Sequence, residues 1–174
     1  LSALTLDRLI ELLADYVRET GTALDLLLIG RLALYAYGAT EACTEDVDAE
    51  LVGHVEQLSD FLKRRNIPAN LSENISGWSV VAMPPGYRER AQVFREQGGL
   101  RIRLLAPVDF VIAKLRRGTE DDLGDAEFVA RRFAIPSGAV RAAAELALAA
   151  SPKDTALFAF RKTVELFCRR LELS

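Results

Sequence analysis

The sequence is poor in the side chains that most metal and nucleophile chemistry uses. One histidine, His54, and two cysteines, Cys43 and Cys168, stand among 174 residues. The cysteines are too far apart for any zinc-ligand spacing. A single histidine gives little ground for Ser-His-Asp chemistry, and His54 reads as a surface residue at a helix start. No apolar run approaches the ~20 residues that span a bilayer. The run from Leu24 to Ile29 is broken by Asp25 and has no basic segment before it. These absences predict no signal peptide and no membrane association, and a cytoplasmic protein with reduced thiols.

What is present is a well-stocked core and an uneven charge. Half of the residues are apolar, which argues against disorder by composition. The net charge is −3, unlike a general nucleic-acid coat protein. Residues 1–60 hold twelve acids and three bases, whereas residues 86–117 hold eight bases and three acids. A basic stretch facing an acidic metal site suits a phosphate-rich substrate. Equally, the two halves of the chain could pair with each other.

The chain is organised around Leu26 to Leu51. An apolar strand from Leu26 ends at Gly30, and a short helix over Arg31–Tyr37 stops at Gly38. Asp46-Val47-Asp48 then opens a strand that runs to Val52. Strand side chains alternate faces at ~3.3 Å per residue, so Asp46 and Asp48 point the same way with Cα atoms ~6.6 Å apart. Two carboxylates so spaced can converge on one hard cation such as Mg2+. Gly30 allows close backbone approach to a ligand, and the helix start behind it offers N–H groups to an anion. Glu50 shares their face but lies ~13 Å along the strand from Asp46.

This stretch resembles the nucleotidyltransferase superfamily, the polymerase-beta-like fold. The residues that carry the likeness are Ile29-Gly30-Arg31-Leu32-Ala33-Leu34 and Thr44-Glu45-Asp46-Val47-Asp48. They look most like the compact branch that includes toxin-type nucleotidyltransferases. One departure is Arg31, where that family usually has a small residue. The resemblance implies an α/β (α+β) fold: a small mixed β-sheet flanked by helices. It places a nucleotidyltransferase-like domain at residues 1–135 and a C-terminal helical extension packed on it at 136–174.

Before the core stretch, Leu6, Leu9, Ile10, Leu13 and Val17 repeat at helical spacing, with Thr5 as N-cap and Gly21 as stop. After it, His54–Asn66 reads as a helix ended by Ile67-Pro68. Residues 69–77 read as a loop, Trp78–Met83 as a strand and Pro84-Pro85-Gly86 as a turn. Tyr87–Gln97 reads as a short helix or an edge strand, and Val93–Glu96 forms a hairpin with Leu100–Leu105.

Active members of the superfamily commonly carry a third carboxylate on this last strand. Here it reads Leu100-Arg101-Ile102-Arg103-Leu104-Leu105 and has no acid. Arg101 and Arg103 share a face and could hold phosphate. Pairing with Glu50 across the sheet, or a solvated edge, are the plainer readings. A second block, Pro107 to Glu127, also looks like the toxin-type branch. By that resemblance Lys114 neutralises phosphate, and Asp122 or Asp125 supplies the missing acid. Otherwise Lys114 is a surface lysine lying along an apolar helix, and the acids favour a helix N-terminus. Two further helices follow, over Gly138–Ala150 and from Ser151-Pro152 onward. The last carries an apolar stripe of Leu157, Phe160, Val164, Phe167 and Leu171, widened by Phe158 and Leu166. Such a stripe serves core packing, a homodimer face or a groove for an antitoxin-like partner.

The resemblance thus implies a Mg2+-dependent transfer of a nucleoside monophosphate from a nucleoside triphosphate to a hydroxyl of RNA or protein. Asp46 and Asp48 would hold the metal. Gly30, Arg31, Thr44 and Arg103 would bind the nucleotide, and Lys114, Asp122 and Asp125 would join the catalytic set. The alternative is a catalytically inactive binding or regulatory module. Arg31 and the acid-free strand at 100–105 speak for it.

Overall fold

The computed structural model describes residues 3–40 and 44–173; Cys43 lies outside them. In chain order the elements are α1 (Leu6–Thr20), β1 (Leu24–Leu28), α2 (Gly30–Ala36), β2 (Val47–Leu51), α3 (Val55–Lys63) and β3 (Ala69–Ser72). A 3-10 turn at Ile75–Trp78 leads to α4 (Tyr87–Arg90), β4 (Gln92–Gln97) and β5 (Leu100–Leu104). Helices α5 (Pro107–Arg117), α6 (Glu120–Arg132), α7 (Ser137–Ala149) and α8 (Ala156–Glu172) complete the described chain. This is an α+β fold, and it divides into two units.

The first unit, residues 1–74 with 91–104, holds α1 to α3 and the whole sheet. The strand order is β3-β2-β1-β5-β4. Strand β1 pairs antiparallel with β2 and parallel with β5, β2 pairs parallel with β3, and β4 closes the other side antiparallel to β5. Register and alternation give the sheet two unlike faces. Leu24, Leu26, Leu28, Val47, Ala49, Leu51 and Ile102 share one face, all buried. Asp25, Leu27, Asp48, Glu50, Asn70 and Arg103 share the other.

Helix α1 forms where its apolar spacing predicts. Thr5 accepts from the Arg8 N–H, and Gly21 ends the helix in the left-handed conformation. Its buried Tyr16 ring meets Phe61 of α3 edge-on at 5.3 Å, and the Tyr16 hydroxyl donates to Gln57 at 3.1 Å. An aromatic pair of this geometry contributes ~1 kcal/mol beyond its burial.

Two expectations fail here. Residues 69–72 form a strand rather than a loop. Residues 78–83 form no strand. Their backbone is held by side chains instead: Arg116 donates to the carbonyls of Ile75, Ser76 and Val81, and Ser151 accepts from the Ala82 N–H.

The second unit, residues 75–90 with 105–174, is helical. Pro107 starts α5, where its missing N–H costs nothing. Gly118 ends that helix in the left-handed conformation. Residues 136–174 belong to the same unit as α5 and α6. On α8, Phe160, Val164 and Phe167 are buried, whereas Phe158 and Leu166 are exposed. The helix starts at Ala156, several residues later than Ser151-Pro152 suggests. Among the described residues no helix is long and apolar enough to cross a membrane.

Candidate active site

The residues singled out from the sequence fall into two sets, one in each unit. Gly30, Arg31, Thr44, Asp46, Asp48 and Arg103 belong to the first, and Lys114, Asp122 and Asp125 to the second.

In the first unit the turn from β1 into α2 requires glycine. Gly30 has φ +63°, a conformation in which a side chain strains the backbone. A Cβ there would also overlap the Asp48 carboxylate, whose Oδ2 lies against the Gly30 Cα. The missing side chain is therefore the space that Asp48 occupies. The backbone joins the same two segments, since the Ile29 N–H donates to the Asp48 carbonyl at 2.8 Å.

The strand begins at Val47, not at Asp46, yet the two carboxylates converge on a shared donor: Asn70 Nδ2 lies 2.8 Å from Asp48 Oδ1 and 3.4 Å from Asp46 Oδ2. Asn70 stands beside Asp48 because β2 and β3 run parallel with those two residues as register partners. Thr44 donates from its hydroxyl to Asp46 Oδ1 at 2.5 Å, and its oxygen accepts from the Asp46 N–H at 3.3 Å. Both carboxylates are half-buried, and Asn70 is exposed.

Asn70 is the site residue that sequence reasoning passed over. Its signal is weak: two apolar residues, Ala69 and Leu71, alternate with Asn70 and Ser72 over four positions. Asparagine is a poor strand former, so the segment reads as a loop.

Arg103 lies on the same face as Asp48, level with Leu27 and Glu50 in the register. Its Nε donates to Asp25 Oδ1 at 2.7 Å. Glu50 is buried, with 3% of its surface exposed. Arg31 is half-buried in the first turn of α2.

In the second unit Lys114, Asp122 and Asp125 do come together. The Lys114 ammonium is 2.8 Å from Asp125 Oδ2 and 3.4 Å from Asp122 Oδ1. Arg117 grips Asp122 with both arms of its guanidinium, at 2.6 and 2.7 Å. Asp122 also belongs to a capping box with Thr119 at the start of α6. Lys114 and Asp122 are both buried. Burial opposes the charge on Asp122. Hydrogen bonds from Arg117 and Thr119, with the positive charges of Lys114 and Arg117, outweigh it and hold the carboxyl down to about 2.

A family model described as "Nucleotidyltransferase of unknown function (DUF6036)" matches residues 4–134. The chain belongs to that family. No curated protein and no solved structure matches it. The match spans both the Gly30–Asp48 stretch and the Lys114–Asp125 block.

Nucleotidyltransferases of this fold imply a divalent cation at the aspartate pair, and the residues present fit one. Two carboxylates converge, Gly30 makes room for one of them, and the Asn70 amide nitrogen donates to both. Hard cations take carboxylate ligands. Among the described residues no group of three or more His, Cys, Asp or Glu is placed to hold a metal. A cation here would therefore draw its remaining oxygens from substrate and water, as Mg2+ usually does.

Proposed function

We propose that this nucleotidyltransferase family member binds a nucleoside triphosphate at the Gly30 turn and moves its nucleoside monophosphate to a hydroxyl of RNA or protein. The observation that carries the reading is the convergence of Asp46 and Asp48 beside the left-handed turn at Gly30. Asp46 and Asp48 would hold Mg2+, which when bound supplies positive charge to the phosphates and orients them. The chain's own groups do the rest. Thr44 fixes one oxygen of Asp46. Arg31, in the first turn of α2, offers a guanidinium to the phosphates. Arg103 can do the same by exchanging Asp25 for phosphate. As the acceptor oxygen bonds to the α-phosphorus, the bond to the leaving pyrophosphate breaks.

Lys114, Asp122 and Asp125 enter this reading as an assembled ion cluster. By the resemblance Lys114 would neutralise phosphate; in the structure its ammonium is engaged by Asp125 and Asp122. Asp122, ionised down to about pH 2, is far from the working pH that suits a general base. Its part is to orient Lys114. By the resemblance one of the two acids would serve the active site, and Asp125 is the more exposed of them, at 13%. The RNA or protein acceptor and a toxin-type role, with an antitoxin-like partner, follow from the resemblance and belong to this proposal.

The second reading is a binding or regulatory module without transfer. It is favoured by the neutral amide beside Asp48 and by the engagement of Lys114 with two acids.

Calorimetric titration of ATP, GTP, CTP and UTP with Mg2+ separates these readings. The expected result is metal-dependent binding of one nucleotide, lost in Asp46→Ala, followed by transfer of labelled nucleotide to an acceptor. Binding with no transfer to any RNA or protein supports the second reading. No nucleotide binding at all overturns the first reading and leaves the second, as a module that binds a protein partner instead.

A further inference from the structure

We infer that Asn70 is a positioning residue that sets the Asp46–Asp48 pair for a divalent cation. This rests on the reading of that pair as a cation site.

Two carboxylates on one strand face, two residues apart, disfavour each other unless positive charge or N–H donors lie between them. An amide nitrogen carries two hydrogens, so one Asn can serve both acids. Asn70 does so, at 2.8 Å to Asp48 and 3.4 Å to Asp46. The side chain is exposed and fills no core, and β3 pairs with β2 through backbone hydrogen bonds.

The donors are arranged to aim the pair. Thr44 holds Asp46 through Oδ1 while Asn70 reaches Oδ2, and Asp48 is held by Asn70 through Oδ1 with Oδ2 against Gly30. Each carboxylate is thus fixed in rotation before a cation arrives. Partners that orient metal-binding side chains in this way typically change metal affinity about 10- to 100-fold when removed.

Chemistry also separates this role from a structural one. Asparagine and aspartate have the same shape, but aspartate donates nothing when ionised. Asn70→Asp would place three carboxylates together. Without metal they repel, and with metal they all attract.

The test is titration of Mn2+ alone, followed by electron paramagnetic resonance of the free ion. The proteins are wild type, Asn70→Ala, Asn70→Asp and Asp48→Ala, with thermal unfolding in chelator to confirm that each is folded. Wild type binds Mn2+, Asp48→Ala does not, and Asn70→Ala binds about 10- to 100-fold more weakly. Asn70→Asp binds at least as tightly as wild type, yet melts below Asn70→Ala when metal is withheld. Wild-type affinity in Asn70→Ala overturns the role of Asn70 and leaves the aspartate pair standing. Equally weak binding by Asn70→Asp and Asn70→Ala also overturns it. Indistinguishable binding by wild type and Asp48→Ala, or none by any protein, overturns the cation site itself.

Discussion

Asp46, just before β2, and Asp48, on it, stand half-exposed and share one neutral amide, whereas Asp122 and Asp125 on α6 lie against Lys114, and Asp122 takes the fork of Arg117 as well. In the first place a hydroxyl and an amide, neither charged, donate to the two acids. In the second, two acids and two cations neutralise one another, with Lys114 and Asp122 out of water. The contrast shows how one residue type serves two ends. Asp46, whose donors are a hydroxyl and an amide, keeps its charge for an incoming cation. A carboxylate already matched by a buried lysine and an arginine fork has given its charge to the fold.

The sharpest way to break this contrast is to remove a cation from the second cluster. Lys114→Met leaves Asp122 buried with Arg117 alone and Asp125 without its 2.8 Å partner. Breaking a buried ion cluster on one side costs about 3–5 kcal/mol. Urea denaturation of the variant should show a loss of that size. A loss below about 1 kcal/mol, the level of a surface pair, would mean that the cluster holds little of the fold together.

Acid sharpens the contrast more gently. The Asp122 carboxyl sits at about 2 in the folded chain, below its ordinary 3.8. The unfolded chain therefore takes up this proton first as pH falls. The stabilisation is fully present above about pH 4 and is lost as pH drops towards 2, and it amounts to at most about 2 kcal/mol. Urea midpoints between pH 6 and 2.5 should fall more steeply for wild type than for Asp122→Asn. Parallel curves would mean that Asp122 is no more strongly paired in the folded chain than in the unfolded one.

How far these features could be read from sequence depended on range. The two-residue spacing of Asp46 and Asp48 made their convergence legible although the strand starts only at Val47, and an apolar run meeting glycine made the Gly30 turn legible. The ends of α1 were legible because Thr5 and Gly21 are local signals. Strand β3 was not, since it is four residues long and half polar, and only its pairing with β2 makes it a strand. Asn70 was lost with it. Residues 78–83 misled in the opposite way. Val81 and Met83 are buried, as in a strand, but their stretch is anchored by Arg116 and Ser151, which lie 35 and 69 residues further on. Arg116 itself belongs to a stretch whose basic character suggested phosphate. It is spent on carbonyl groups instead, and burial pulls its guanidinium down to about 10. For Lys114 the grouping with Asp122 and Asp125 was legible, but not that the three would neutralise one another.

The smallest expected effect falls on the first cluster. Asp46→Asn keeps an oxygen to accept from Thr44 and loses only the 3.4 Å bond from Asn70, the longer of that amide's two. It also removes one of two like charges from the strand face, which offsets the lost bond. The net change in stability should lie within about 0.5 kcal/mol, as for substitutions that touch no packed feature. Mn2+ binding should nevertheless fall steeply, because one of two charged ligands is gone. Urea denaturation and Mn2+ titration on the same preparation check both halves. Stability kept while binding is lost would mark Asp46 as a residue retained for its chemistry, since sites of function often give up stability that a neutral residue would recover. A loss comparable with that of Lys114→Met would place the β2 pair in the same class as the buried cluster, and the difference between the two groups of acids would disappear.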